Sequence, residues 1–89
     1  MQQFIWDEHK AQINGQKHGV TFDEATTVFI DPLSITIPDP LHSLDEERFV
    51  EIGLSAENRL LVVVYTERSD TIRVISARPA TRREQKQYE

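Results

Sequence analysis

Residues 48–77 read RFVEIGLSAENRLLVVVYTERSDTIRVISA, and this stretch decides the fold. Three apolar and β-branched runs, Arg48–Leu54, Arg59–Glu67 and Thr71–Ala77, are separated by short polar turns at Ser55–Asn58 and Arg68–Asp70. That pattern predicts an antiparallel meander. In the middle run Leu60, Val62 and Val64 fill one face, and Leu61, Val63 and Tyr65 fill the other. A strand that is apolar on both sides is central, and covered at least in part on both faces.

Upstream of the meander the pattern turns helical. Gln2–Asp7 alternates, with Phe4 and Trp6 on one side, as a short strand does. Asp7 then caps a helix over 8–18, and Gly19 supplies its left-handed stop. The apolar face of this helix is thin (Ala11 and Ile13), and Gly15 costs about 1 kcal/mol relative to alanine, which predicts a surface helix. Thr21 and Glu24 form a T-x-x-E capping box, with Val20 placed to staple onto Ala25. Phe22, Ala25, Val28 and Phe29 repeat at helical spacing, so this second helix docks firmly on the sheet. Asp31-Pro32 ends it, Leu33–Ile37 reads as a strand, and 38–47 reads as a long loop.

Downstream, Arg78 precedes Pro79 and is held extended. Thr81 and Glu84 make a second T-x-x-E box, which predicts a helix from Arg82. That helix has almost no apolar face and is marginal alone, so it is frayed or something else holds it. The expectation is one α+β domain over 1–89, with helices on an antiparallel sheet and a helix at the C-terminus. A chain of this length buries only about 60–65% of its unfolded surface, so its stability is modest.

Composition narrows the function classes. There is no cysteine, which excludes disulfides and thiolate metal sites and fits a reducing, cytoplasmic setting. The start does not read as a signal peptide, and no run approaches a membrane span. His9, His18 and His42 lie at no recognised ligand spacing, and three glycines provide no phosphate-cradling loop, so neither metal nor cofactor is expected. The net charge of −5 argues against generic nucleic-acid binding, but the charge is segregated. Residues 1–44 carry two basic and six acidic side chains, whereas 59–83 carry six arginines against Glu67 and Asp70. Arginine's rigid fork suits bidentate recognition of phosphate or carboxylate. These arginines therefore hold an anion or pair with the acidic first half.

Individual positions carry the same two-sided reading. Arg78 ends the last strand, and Arg82 and Arg83 stand in the first turn of the following helix, where cations oppose the helix dipole. They serve an anion, a partner or solubility. Strand parity puts Arg68 with Leu60, Val62 and Val64, and Arg59 with Leu61, Val63 and Tyr65. It puts Arg78 with Ile72 and Val74, and Arg73 opposite, so Arg68 and Arg78 are able to converge. Lys17 and His18 form an ordinary helix end, although histidine alone titrates near neutrality. Glu46, Glu47 and Arg48 follow the long loop, and Glu47 is a base or an arginine's partner. Trp6 is a core residue or a stacking platform. Tyr88, one turn after Glu84, is an anchor or a polar tip in a site. Leu41 and Leu44 are partner surface or solvated loop.

Four segments carry a resemblance: FIWDEHKAQINGQKHGVTFDEATTVFIDP, ERFVEIGLS, RLLVVVYTER and IRVISARPATRREQKQYE. Through W-D-x-x-K-x-x-x-N, K-H-G-V-x-F-x-E-A and I-S-A-R-x-A-T-x-x-E, the chain resembles the BrnT family, the toxin half of bacterial type II toxin–antitoxin pairs. The resemblance implies a RelE-like fold with helices on a twisted antiparallel sheet. It implies metal-independent endoribonuclease activity that inhibits translation and growth. It also implies a BrnA-type ribbon-helix-helix antitoxin as partner, with operator DNA reached only through that complex.

Metal-free RNA cleavage uses the adjacent 2′-hydroxyl as nucleophile. It needs a base for that proton, cations for the charge building on phosphate, and an acid for the leaving 5′-oxygen. Arginine stays protonated and serves only as the cation. Arg68 and Arg78 are the expected phosphate holders, with Arg48 a third. His18 or Glu47 is the expected base and Tyr88 or Lys17 the expected acid. Arg59, Arg73, Arg82 and Arg83 are expected to contact RNA. The other reading is a non-catalytic partner that binds the antitoxin and assists operon repression, favoured by the negative net charge and the unsupported last helix.

Overall fold

The computed structural model describes residues 2–39 and 46–88. The loop residues Leu41, His42 and Leu44 lie outside them. The elements run β1 (Gln3–Ile5), α1 (Glu8–His18), α2 (Phe22–Thr26) with a 3₁₀ turn over Thr27–Ile30, β2 (Ile35–Pro38), β3 (Arg48–Leu54), β4 (Leu60–Arg68), β5 (Thr71–Pro79) and α3 (Arg82–Tyr88). The five strands form one sheet in the order β1-β5-β4-β3-β2, with β4 central as its two apolar faces require. No helix of the described residues is long and apolar enough to cross a membrane.

The sheet is mixed, which corrects the expectation of an antiparallel one. β1 runs parallel to β5, with Phe4 opposite Ile72. No hairpin joins these strands, so turn geometry does not set their relative direction. That register puts Phe4 on the face where Val20, Phe22, Ala25 and Val28 pack against Leu61, Val63, Tyr65, Ile72, Val74 and Ala77. Phe29 sits between Phe4 and Tyr65, at centroid distances of 5.4 and 4.9 Å. Trp6 packs against this core, edge-on to Phe22, and its indole N–H donates to Glu8.

One irregularity governs the faces of β5. Val64 pairs with Ser76 but Tyr65 pairs with Val74, leaving Ile75 as an extra residue. Such a bulge reverses the alternation beyond it. Ile72, Val74 and Ala77 therefore all face the core, while Arg73, Ser76 and Arg78 all face the other way. Simple parity rightly set Arg73 opposite Ile72 and Val74, but its grouping of Arg78 with those two fails at Ile75.

α1 is capped as its sequence dictates. Asp7 accepts from the backbone N–H of His9 and Lys10, and Gly19 takes φ 69°. Its thin apolar face leaves Ile13 exposed, and a buried polar residue docks the helix instead. The Asn14 amide donates to the carbonyls of Val20 and Ala77, at 3.0 and 2.8 Å, and accepts from the Ala77 N–H at 3.1 Å. β1 reaches only as far as Arg73 along β5, so Asn14 acts as the missing strand at Ala77. On α2, Thr21 accepts from the Glu24 N–H, but the Glu24 carboxylate turns away to Arg59 and Ser55, so only half of the expected capping box forms. Gly53 lets the 3₁₀ turn lie directly on β3. A Cβ there would stand 2.8 Å from Val28 Cγ1 and 2.9 Å from Ser34 Cβ.

Truncating Asn14 leaves buried backbone groups at Val20 and Ala77 without partners. Asn14→Ala is expected to lower stability by about 2–3 kcal/mol, read as a shift in the urea midpoint. Asn14→Asp keeps only the acceptor and aims a charge at two carbonyls, so it should be no better than alanine.

Candidate functional site

The open face of the sheet, opposite the core, carries the candidate site. One rung of the ladder runs Arg48, Thr66, Arg73, Ile5 across β3, β4, β5 and β1, and the next places Arg68 beside Thr71. Side chains opposite one another on a sheet face stand about 5 Å apart at Cβ. Arg48, Arg68 and Arg73 thus stand on one face, Arg48 and Arg73 on either side of Thr66. The cleft there, about 430 Å³, is lined by Ile5, Glu46, Thr66, Arg68, Ser69, Thr71 and Arg73. Glu46 pairs with Arg73. Arg68 is exposed at the hairpin end, and its side chain makes no hydrogen bond or ion pair among the described residues. A patch with this composition, open to solvent and rich in donors, suits a phosphate.

Arg78 lies on the same face but at the other end. Arg68 stands opposite Thr71 and Arg78 opposite Val62, a separation of about 20 Å along the strands at roughly 3.3 Å per residue. The two do not converge. Arg78 instead holds Glu84 bidentately, at 2.8 and 2.7 Å. Glu84 also accepts from the Thr81 N–H, and Thr81 accepts from the Glu84 N–H, which completes the expected capping box. Arg78 and the Thr81 backbone hold the Glu84 carboxyl down at about 2. At the far end of α3, the Tyr88 hydroxyl donates to Asp31 at 2.6 Å. Asp31 also accepts from the N–H groups of Leu54 and Leu33, and these bonds together hold it below the usual carboxylate range. Two polar clamps therefore hold a helix that lacks an apolar face.

The remaining expected residues are dispersed. Lys17 and His18 line a separate cleft with Lys10, Ile13, Asn14, Ile75 and Ser76. Arg59 binds Glu24 and the Gly19 carbonyl, tying the α1–α2 junction to the β3–β4 turn, and its hydrogen bonds hold Glu24 below its ordinary value. Arg82 and Arg83 are exposed on α3, and Glu47 is exposed just before β3. Sequence reasoning left Thr66 and Thr71 unnamed, although Thr66 shares the parity of Arg68. It also left out Glu51, a buried carboxylate that accepts from Ser34, Thr36 and Tyr65 at 2.6–3.0 Å. Burial and the neighbouring Glu51 push the Tyr65 hydroxyl above its ordinary range. Glu51 stands opposite Val63, on the core face, and so belongs to the interior.

Comparison with known proteins places the chain. Residues 6–84 match the family described as "Ribonuclease toxin, BrnT, of type II toxin-antitoxin system". The chain is similar to the crystal structure of the Brucella abortus ribonuclease toxin BrnT, at 26% sequence identity and a TM-score of 0.71. That likeness covers 92% of this chain and 100% of the other. No curated protein sequence matches.

The α3 clamp makes acid stability measurable. Glu84 titrates at about 2 in the folded chain against an ordinary 4.5, so its contribution is full above pH 4.5 and disappears as pH falls toward 2. Asp31 and Glu24 act with the same sign. The urea midpoint should therefore fall steeply over this window. Glu84→Gln should be less stable near neutrality and show a shallower fall. Equal slopes for both proteins would show that the Arg78 pair does not carry the acid sensitivity.

Proposed function

The chain belongs to the BrnT family of ribonuclease toxins of type II toxin–antitoxin systems, and on that premise we propose that it cleaves RNA without a metal on the open face of its sheet. The observation that carries this reading is the placing of Arg68 and Arg73 around one cleft, with Arg48 opposite Thr66 on the same face. Arg68 and Arg73, with Arg48 beside them, hold the scissile phosphate and stabilise the charge that builds on it. Glu46, which lines the cleft beside Arg73, takes the proton of the 2′-hydroxyl. The 2′-oxygen bonds to phosphorus, the bond to the 5′-oxygen breaks, and water reaching the open face protonates that oxygen. The products are a 2′,3′-cyclic phosphate and a 5′-hydroxyl. Arg78 and Tyr88 stand outside this site and hold α3 in place.

The family brings an antitoxin partner and an RNA substrate. We assign the partner to the BrnA type, carrying a ribbon-helix-helix region, with operator DNA engaged only by the complex. A net charge of −5 is consistent with a toxin that does not hold DNA by itself. The cytoplasm, where both RNA and antitoxin reside, is its proposed place of action, and cleavage there would arrest translation and growth.

The test is cleavage of an end-labelled RNA by the purified chain in EDTA, with the ends resolved. Arg68→Ala and Arg73→Ala should each lower kcat about 10²–10³-fold while folding normally, as loss of a charge-stabilising donor does. Full activity in both variants would move the site elsewhere. If Arg78→Ala loses stability but keeps cleavage, its role is the clamp. No cleavage by the parent chain, with antitoxin binding intact, would favour a non-catalytic partner.

A further inference from the structure

A second cationic cleft lies beside the first. It occupies about 220 Å³ between α1 and β5, and its lining includes Lys10, Lys17 and His18 with Ile75 and Ser76 but no carboxylate. Lys10, Asn14, Lys17 and His18 fall at i, i+4, i+7 and i+8, one face of a helix. The Lys10, Lys17 and His18 side chains make no ion pair or hydrogen bond among the described residues, unlike Arg59, Arg73 and Arg78. In a chain of net charge −5 with fifteen acidic residues, two lysines and a histidine gathered without a carboxylate are poised for an external anion.

The fold explains why this cleft opens where it does. β1 ends at Arg73 along β5, leaving the rest of that strand edge to α1. The bulge at Ile75 then puts Ser76 on the open face, three residues along from Arg73. Three residues of strand span at most about 10 Å. The two clefts share no lining residue, but Arg73 of one and Ser76 of the other lie within that distance, a span one strand of nucleic acid bridges.

We propose that the Lys10–Lys17–His18 cleft binds a phosphate of the RNA strand to one side of the scissile bond, as a positioning subsite separate from the arginine cleft. This rests on the ribonuclease reading above, and its test does not require cleavage. Lysine contacts to backbone phosphate release counterions, so each contributes about 0.7 to the slope of log affinity against log salt for a single strand.

The experiment is fluorescence anisotropy with a labelled single-stranded RNA over a salt series, using the parent chain, Lys10→Ala/Lys17→Ala and Lys86→Ala. The double variant should lower the slope by about 1.4 relative to the parent. Lys86, on α3 outside both clefts, should leave it unchanged. In cleavage assays the double variant should raise KM for a long RNA at constant kcat, the opposite of the loss expected at Arg73. Thermal unfolding checks that the double variant folds; both lysines are exposed and unpartnered. If the parent binds with the expected slopes but does not cleave, the subsite stands and the catalytic reading fails. Parent-like slope and KM in the double variant would overturn the subsite. So would RNA binding undetectable for the parent chain at low salt. Loss of antitoxin binding with RNA binding intact would make the cleft a protein surface and overturn it as well.

Discussion

The extra residue at Ile75 is the constraint on which the rest of this molecule depends. A strand must alternate, so β5 without a bulge would place Arg78 in the core with Ile72 and Val74, or carry Ala77 out of it. The insertion lets the strand change phase midway. Its first half presents Ile72 and Val74 inward and Arg73 outward; its second half presents Ala77 inward and Ser76 and Arg78 outward. The same phase change directs the Ala77 backbone at Asn14, so the attachment of α1 also follows from it.

Hydrophobic burial and polar attachment divide the work by element. α2, the 3₁₀ turn and the sheet share a packed apolar core, whose burial is worth about 25 cal/mol per Å². α1 and α3 have little to bury and are fixed by directional bonds: the Asn14 amide for one, and the Arg78–Glu84 and Tyr88–Asp31 pairs for the other. Directional bonds define position more narrowly than apolar contact does, because they fail outside a small range of distance and angle. Of the two helices, α1 lines the cleft beside β5, and α3 lines neither cleft.

The arginine-rich second half resolves into two populations. Arg59 and Arg78 are bound to Glu24 and Glu84 and join helices to the sheet. Arg48, Arg68 and Arg73 gather on the open face at the β4–β5 hairpin end. The negative net charge and a local cationic surface are therefore compatible. Carboxylates pair with Arg59, Arg73 and Arg78, while Arg68 keeps an exposed guanidinium at the hairpin end of the outer face.

The sequence by itself determined the meander, the central place of β4, the capped α1 and the start of α3. These rest on local periodicity and on caps closed within four residues, so neighbours along the chain suffice to specify them. The BrnT motifs were legible for the same reason: each is a short run. What tertiary structure alone decided was register. Whether β1 ran parallel to β5, where the bulge fell, and that Arg59 met Glu24 all depend on contacts between segments distant along the chain: 63 positions separate Asn14 from Ala77 and 35 separate Glu24 from Arg59. Asn14 meets Ala77 and Arg59 meets Glu24 only after the sheet has closed. Parity counts residues correctly but cannot see an inserted one. It therefore placed Arg68 rightly, on a regular strand, and Arg73 rightly, before the bulge, and misplaced only Arg78, which lies beyond it.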